Sequence, residues 1–414
     1  MERDIIMAKF ASRMSNMESS ARIIRNLFGA MNDPDIISFG GGAIAAECLP
    51  IDQIREICNI ILKKETRGIE TLAYGPVMGV TDLREAVVRD LLKPKGVKAN
   101  PETVMILTGG LEAMNLMCQI FIEPDDIILV ESPTFVHSVE IFEMFQAKCI
   151  AVEMDDNGLL IDDLEKKIIE FKPKMIYTIP TFQNPSGRTL SRERRQKVAK
   201  LASEHDVIVL EDDPYRDIRY SGEDLPPIKT FDKTGHTVLA GSLSKIFTPG
   251  LRLGYIHGDD EIISMLMNAK SATNSHTSML PQIICAEFFK QGYFPAQLKL
   301  ICDVHRKRRD AMIESIDEFF PDGTKRTYPD GGLFTWVELP GSLNTTHLLT
   351  ESMSNLKVRV AYIAGEGFFV EGNGKGNNSM RISFGAVPPE KIRIGAERLG
   401  KLISSRLSQR YPEL

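Results

Sequence analysis

The sequence predicts an α/β protein in which helices cover both faces of a mostly parallel central sheet, followed by a smaller α+β domain. Between Thr103 and His257, short β-branched runs alternate with amphipathic stretches, which is typical of βαβ units around such a sheet. The runs are too apolar for a sheet with one face in water, so helices must cover both faces. From about Gly292 the pattern changes to a charged helix and shorter alternating strands. The predicted strands of the large sheet are 104–107, 127–130, 175–177, 207–210 and 238–240.

Two helices of the large domain can be placed from the sequence. Apolar residues recur at helical spacing from Ile161 to Phe171, and charged residues occupy the other directions. Lys172-Pro173 ends that helix, because the residue before a proline is disfavoured in the α region. Ser191 is the predicted N-cap of the next helix. These helices alternate with the strands as βαβ units require.

The last third of the chain has a different organisation. The charged run 303–309 predicts a long helix, and residues 332–337 predict a strand. The Gly- and Asn-rich loop 372–378 is either a mobile lid or a hairpin connection, and the second interpretation is favoured. The chain is therefore divided into an N-terminal segment that joins the small domain (1–50), a large domain (51–291) and a small α+β domain (292–414).

Composition argues against nucleic-acid-binding, metal-binding, secreted and membrane-spanning proteins. The 414 residues include 50 basic and 56 acidic side chains, a net charge of −6, without the long basic run that binds nucleic acid. The six cysteines lack metal-ligand spacing, so we expect reduced core thiols and no metal site. No secretory signal is visible, and no apolar run approaches the roughly 20 residues that span a bilayer. A cytoplasmic protein with neither a nucleic-acid nor a membrane partner is expected.

One lysine lies where α/β proteins place ligands. Lys245 closes the segment Gly241-Ser-Leu-Ser-Lys that follows a buried strand, at the carboxyl edge of the parallel sheet. A desolvated lysine beside Ser242 and Ser244 can react with an aldehyde cofactor. Arg252, seven residues further on, suits a bidentate phosphate contact. Taken singly, the lysine could lie in a surface loop and the arginine in a salt bridge.

Eight short motifs occur in a fixed order over nearly the whole chain. They are Ile37 to Gly42, Tyr74-Gly75-Pro76 with Gly79, Leu107 to Gly110, Glu131 to Phe135, Gln183 to Gly187, Glu211 to Tyr215, the lysine motif, and Met380 to Phe384. In this order they resemble the fold-type I pyridoxal-phosphate aminotransferases, particularly the subgroup with the 2-aminoadipate, aromatic and multi-substrate aminotransferases. The resemblance implies the fold-type I transferase architecture and the cofactor pyridoxal 5′-phosphate.

The resemblance assigns the cofactor contacts to specific residues. Lys245 would carry the cofactor, and Phe135 would stack on its ring. The phosphate would meet Arg252 and the start of a helix at Gly109, Gly110 and Leu111, and Ser242 and Ser244 would also contact the cofactor. Many relatives have Gly-Ser-Gln where this chain has Gly-Gly-Leu, so Gly110 and Leu111 are expected to bind through the backbone only. Taken alone, the glycines could form a plain βα turn and Phe135 could be a core residue.

Polar groups around the cofactor ring follow from the same resemblance. Asp212 lies three residues before Tyr215, the spacing by which the family places a carboxylate on the ring nitrogen and a phenol on the ring oxygen. Asp213 is the competing carboxylate, because consecutive aspartates at a strand end often cap a turn. Asn184 matches the amide that donates to the same ring oxygen, although Asn-Pro is also a common turn.

Substrate and dimer contacts are implied as well. Arg381 matches the arginine that binds the substrate α-carboxylate, with Gly41 and Asn184 beside the substrate. Tyr74 resembles the tyrosine that reaches the neighbouring active site of a homodimer; an ordinary buried tyrosine is the alternative. Arg25, on an amphipathic N-terminal stretch, matches an arginine that meets a distal substrate carboxylate, or else it pairs with a surface carboxylate.

These assignments predict an aminotransferase that moves the amino group of 2-aminoadipate, an aromatic or a branched aliphatic amino acid to a 2-oxo acid, with 2-oxoglutarate as the expected acceptor and ping-pong kinetics. A β-lyase of the same fold would carry the same residues. A cofactor-binding effector domain like those of MocR-type regulators is the other alternative. About 36 residues precede the first motif, which is too few for the DNA-binding domain of those regulators.

Overall fold

A computed structural model describes residues 11, 13–14, 33–341 and 343–410. Strands β2 to β9 and helices α1 to α9 form an α/β region. The strands are β2 (Val104–Leu107), β3 (Ile127–Ser132), β4 (Lys148–Asp155), β5 (Gly158–Leu159), β6 (Met175–Thr178), β7 (Ile208–Asp212), β8 (Thr237–Ser242) and β9 (Gly254–His257). The helices are α1 (Ile51–Ile61), α2 (Gly68–Leu72), α3 (Thr81–Ala86), α4 (Gly110–Phe121), α5 (Val136–Met144), α6 (Ile161–Phe171), α7 (Arg192–His205), α8 (Asp260–Asn274) and α9 (Met279–Lys290).

These strands form one eight-stranded sheet in the order β2-β9-β8-β7-β6-β3-β4-β5. Strands β8, β7, β6, β3 and β4 are parallel, whereas β9 and β5 run antiparallel to their neighbours. The predicted mostly parallel sheet is confirmed, with each predicted strand within a few residues of its observed bounds.

Helices cover both faces of this sheet, as predicted. Neighbouring residues of β3, Leu129 and Val130, belong to two separate clusters of buried side chains. The cluster that contains Leu129 also contains Leu164 of α6. Helix α6 ends at Phe171, before the predicted Lys172-Pro173 boundary, and the Ser191 hydroxyl caps α7 by accepting from the Arg194 amide at 3.4 Å.

The remaining elements build a smaller α+β region. They are β1 (Ile37–Ser38), α10 (Phe294–Phe319), β10 (Lys325–Arg326), β11 (Phe334–Glu338), α11 (Thr345–Ser354), β12 (Val360–Ala361), β13 (Ile363–Ala364), β14 (Ser379–Ser383) and α12 (Pro389–Arg410). An antiparallel sheet runs in the order β10-β11-β14-β13, and β1 pairs in parallel with β12. The segment 372–378 lies between the antiparallel strands β13 and β14, which is the position of a hairpin connection.

Cysteine burial differs from the prediction. All six thiols are free, and Cys48, Cys118 and Cys285 are buried. Cys58, Cys149 and Cys302 are only partly buried and pack against the margin of the main core, so the prediction of core thiols is wrong for these three. No cluster of three or more potential metal-ligating side chains occurs within the described residues. In the same part of the chain, no helix has the length and apolar character to cross a membrane.

Candidate active site

The candidate site lies at the carboxyl edge of the large sheet. Strands β2, β3, β6, β7 and β8 all run in the same direction, because β2 and β8 are both antiparallel to β9. Ligands bind at this edge of open α/β sheets. The segments at these strand ends carry Gly109, Phe135, Asn184, Asp212 and Lys245. Side chains that are far apart in the sequence are thereby collected on one side of the sheet.

The predicted cofactor contacts Gly109, Gly110, Ser242, Ser244 and Arg252 are brought together at the ends of β2 and β8. We call this group, which is a candidate site for the phosphate, the phosphate cup. Gly109 has a φ of +85°, and a Cβ at this position would lie 2.4 Å from Arg252 Nη2. A Cβ at Gly110 would lie 3.9 Å from Ser242 Cβ. Arg252 Nη1 donates to Ser244 Oγ at 3.4 Å. Only glycine fits at 109, and the cup presents a guanidinium, two hydroxyls and the N-terminus of α4.

Lys245 projects into the space beside this cup. Its Nζ donates to the Gly42 carbonyl oxygen at 2.6 Å. Burial lowers the pKa of Lys245 to about 8, and the positive charges of Arg252 and Arg381 act in the same direction. A lysine with this pKa is partly neutral near physiological pH, so its amine is available as a nucleophile or a base.

The two consecutive aspartates at the end of β7 have different partners. Asp212 is buried, and its Oδ2 accepts a hydrogen bond from the Tyr177 hydroxyl at 2.9 Å. Burial raises the pKa of Asp212 to about 7; the Tyr177 hydrogen bond opposes this rise, and Asp213 adds to it. Asp213 instead forms a buried ion pair with Arg216. Asp213 is thus engaged in a structural pair, and Asp212 is the carboxylate without a cationic partner among the described residues.

Arg381 lies on β14 and is buried without a carboxylate partner among the described residues. Its Nη1 donates to Asn184 Oδ1 at 2.9 Å and its Nη2 to the Gly40 carbonyl oxygen at 2.5 Å. Its buried Nε has no hydrogen-bond acceptor in the described part of the chain. The guanidinium carbon lies 4.2 Å from the centroid of the Phe334 ring. Burial lowers the pKa of Arg381 to about 10, although the Tyr215 phenol acts in the opposite direction.

Tyr215 and Phe135 supply the aromatic surfaces of the site. Tyr215 is buried, with its ring edge-on to that of Phe334 at 5.6 Å. Burial raises the pKa of Tyr215 above its usual range, so the phenol keeps its proton at neutral pH. Phe135 is partly buried at the start of α5, and its ring lies 5.2 Å from that of His137.

The other predicted contacts lie at the edges of the site. Tyr74 is 95% exposed, so the alternative of an ordinary buried tyrosine is wrong. Leu111 lies in the first turn of α4 with an exposed side chain, which leaves its backbone N–H as the available donor. Gly41 lies between Gly40 and Gly42, whose carbonyl oxygens accept from Arg381 and Lys245. Arg25 lies outside the described residues.

Three sets of contacts in the site have no signal in the sequence. Tyr177 lies in an apolar strand, a pattern that predicts only burial, yet its hydroxyl donates to Asp212. Gly40 and Gly42 contribute backbone carbonyl groups, and the identity of a residue does not indicate which group its carbonyl contacts. Phe334, in a predicted strand of the small domain, packs against both Tyr215 and Arg381. The Glu131-to-Phe135 and Gln183-to-Gly187 motifs predict neighbouring segments of the site, but no motif predicts the contact between Tyr177 and Asp212 on adjacent strands.

This set of groups fits pyridoxal phosphate. Only a glycine at 109 leaves room beside the Arg252 guanidinium, which suits a phosphate that approaches the backbone closely. Lys245 could supply an amine for the aldehyde, and Asp212 could supply a carboxylate that has no ion-pair partner within the described residues. The orphaned Nε of Arg381 leaves donor capacity for a substrate carboxylate.

Comparisons with known proteins agree with this geometry. Residues 50–399 match the family described as "Aminotransferase class I and II". The chain is 36% identical over 405 residues to aromatic-amino-acid aminotransferase 1 of Thermococcus litoralis, covering 97% of this chain and 95% of that protein. It is 31% identical over 391 residues to the 2-aminoadipate transaminase of Thermus thermophilus, covering 94% and 95%. Among solved structures, the kynurenine aminotransferase of Pyrococcus horikoshii superposes with a TM-score of 0.90 at 36% identity, covering 96% of this chain and 97% of that one.

Proposed function

The chain belongs to the class I and II aminotransferases and uses pyridoxal phosphate, and from this premise we propose that it transfers the amino group of a 2-aminoadipate, aromatic or branched aliphatic L-amino acid to a 2-oxo acid, with 2-oxoglutarate as acceptor and ping-pong kinetics. Amino donors of the aromatic and 2-aminoadipate classes appear in the names of its relatives. One observation carries the proposal. The buried guanidinium of Arg381 has no carboxylate partner among the described residues, and it lies close enough to Lys245 for its charge to lower the pKa of that amine.

In this proposal each residue has a defined task. Pyridoxal phosphate, when bound, withdraws electrons from the bonds of the substrate α-carbon. The phosphate cup would hold the phosphate, Asp212 would hold a proton on the ring nitrogen, and Tyr215 with Asn184 would contact the ring oxygen. Phe135 would stack on the ring, and Arg381 would fix the substrate carboxylate with Gly41 beside it. Lys245 Nζ would take the proton from the α-carbon, and a pKa of about 8 suits an amine for this task.

A homodimer with shared active sites is part of the proposal. Tyr74 is almost fully exposed in the single chain, and the neighbouring Ile69 and Leu72 are exposed apolar residues. Exposed apolar side chains that lie together mark interaction surfaces. We propose that Tyr74 reaches the phosphate site of the partner subunit from this surface.

Replacing Arg381 tests the carboxylate site. We expect Arg381→Lys to lower kcat/KM for amino acids by about two orders of magnitude or more, because a lysine cannot reproduce the bidentate contact. Cofactor content, measured by visible absorbance, is expected to stay at the wild-type level. Arg393→Lys is a matched control, because Arg393 forms a half-exposed surface pair with Glu318. Wild-type kcat/KM in Arg381→Lys would contradict the proposed function.

Replacing Arg25 tests the choice of donor. We expect Arg25→Ala to raise KM for 2-oxoglutarate and acidic donors while sparing aromatic and aliphatic donors, because only the acidic group loses a charge-assisted contact. The measurement is a panel of amino donors against 2-oxoglutarate. Equal losses for both groups would remove Arg25 from the substrate pocket.

A further inference from the structure

A buried ion pair lies immediately behind the phosphate cup. Lys270 Nζ donates to Glu112 Oε1 at 2.7 Å, and the side chains of Lys270 and Glu112 are 0% and 9% exposed. Asn274 Nδ2 donates to the same carboxylate oxygen at 2.6 Å, and Asn274 Oδ1 accepts from Lys270 at 3.2 Å. The three side chains join α8 to α4, and none of them has a task in the proposed reaction.

The carboxylate of this pair is adjacent to the cup itself. Glu112 lies in the first turn of α4, and its Oε2 accepts from the Thr108 backbone N–H at 2.5 Å. Thr108 directly precedes Gly109, and consecutive Cα atoms are about 3.8 Å apart. The Glu112 carboxylate therefore lies within a residue's length of the backbone that would hold the phosphate.

This position creates an electrostatic conflict. The positive end of a helix attracts carboxylates and phosphates alike, so Glu112 and a bound phosphate would compete for the same N-terminus of α4. Arg252 is the cation that the cup directs at the phosphate. The Glu112 carboxylate, a second anion behind the cup, offsets part of that attraction unless its charge is neutralised. Solvent screens this charge little, because the Lys270 and Glu112 side chains have low exposure.

We propose that Lys270 is a positioning residue for the cofactor phosphate, because it neutralises Glu112 and so lets the cup accept a phosphate dianion. This role rests on the proposed function of the phosphate cup and adds Glu112 and Lys270, which lie outside the cup. Glu112 fixes the turn at Thr108 through a hydrogen bond. Lys270 neutralises the negative charge that the Glu112 carboxylate places beside this turn.

A purely structural role makes a different prediction. If the pair only fastened α8 to α4, loss of either partner would weaken cofactor binding in the same way, because each single change leaves one buried charge unpaired. If Lys270 acts electrostatically, the two substitutions change the affinity for the phosphate in opposite directions. Losing Lys270 exposes a negative charge to the phosphate, whereas losing Glu112 removes one.

The experiment compares pyridoxal phosphate with pyridoxal, which lacks the phosphate. Binding to the full-length apo chain is followed by visible absorbance at one mildly alkaline pH and low salt. The ratio of the two affinities isolates the contribution of the phosphate. We expect Lys270→Met to lower this ratio by at least about tenfold. Glu112→Gln, which can still accept from Thr108, leaves it equal or raises it, and the double variant restores the wild-type ratio.

Thr273→Val is the matched control. Thr273 also joins α8 to α4, through hydrogen bonds of 3.1 and 3.2 Å with Gln119, but it carries no charge. We expect it to leave the ratio unchanged. If Lys270→Met fails to fold, Lys270→Gln, which can still donate to Glu112, replaces it. Comparison of Glu112→Gln with the double variant also reports the effect of Lys270, in this case beside a neutral partner.

The outcomes separate this proposal from the proposed function. A ratio that falls in both single variants, or in neither, would overturn the role of Lys270. A wild-type chain that binds pyridoxal as tightly as pyridoxal phosphate would instead remove the phosphate cup, whatever the variants do.

Discussion

Lys245→Ala is expected to lower the rate of transamination by at least about 1000-fold, because the variant loses both the nucleophile and the base for the α-carbon. The structure gives the reason for choosing this lysine. Its Nζ lies 2.6 Å from the Gly42 carbonyl oxygen, and Arg381 donates to the carbonyl oxygen of Gly40, two residues away in the same segment. No other residue of the described site offers an amine at this place.

The pKa of Lys245 explains why this amine can react near neutral pH. An ordinary lysine has a pKa of about 10.4, so less than about 1% is neutral at pH 8. Burial and two neighbouring arginines lower the pKa of Lys245 to about 8, so about half of the amine is neutral at that pH. The reactive neutral form is present above this pKa and is lost as the pH falls below it.

Borohydride provides a measurement that does not depend on turnover. The holoenzyme is expected to absorb in the visible region, to lose that band on reduction, and to retain the cofactor on the peptide that contains Lys245. Lys166→Ala is a control on the outside of α6, in a direction that the helical pattern assigns to solvent. A colourless protein after soaking with pyridoxal phosphate, or an adduct on another lysine, would refute the assignment.

The large sheet could be predicted because its strands are short apolar runs that are buried on both faces. Alternate residues such as Leu129 and Val130 enter different clusters, so the whole run must be apolar, and the sequence shows this directly. The phosphate cup was also predictable in part. Arg252 follows Lys245 within seven residues, and a short turn keeps it near Ser244.

Contacts between remote segments could not be predicted from local patterns. Arg381 contacts Asn184 and Gly40, which are 197 and 341 residues away in the chain. Tyr177 is a similar case. It pairs in register with Leu210, which places it beside the end of β7 where Asp212 lies. An apolar strand favours burial of its tyrosine but does not indicate which neighbouring carboxylate the hydroxyl will meet.

Asp212→Ala is expected to lower mainly the activity, whereas Asp213→Ala is expected to lower mainly the stability. Asp212 lacks a cationic partner among the described residues, and burial raises its pKa to about 7, so this carboxylate is held ready for a proton on the cofactor ring nitrogen. Its loss is expected to lower kcat by about 100-fold to 1000-fold or more while some cofactor remains bound by the phosphate cup. The change removes a charge that burial disfavours, but it also takes away the acceptor of the buried Tyr177 hydroxyl, so we expect a loss of stability of at most about 1 to 3 kcal/mol.

Asp213→Ala removes the nearer of the two carboxylates that the buried Arg216 guanidinium contacts. Both side chains of this pair are 5% exposed, and breaking a buried pair typically costs about 3 to 5 kcal/mol. We therefore expect a clear loss in the free energy of unfolding, measured with denaturant, but near wild-type kcat per folded, cofactor-loaded site. Arg216 keeps its contacts with Asp224 and the Leu225 carbonyl oxygen, which limits the damage to the fold. If Asp213→Ala abolished kcat in folded protein while Asp212→Ala preserved it, the two carboxylates would have to exchange roles, because only one of them can serve the ring nitrogen.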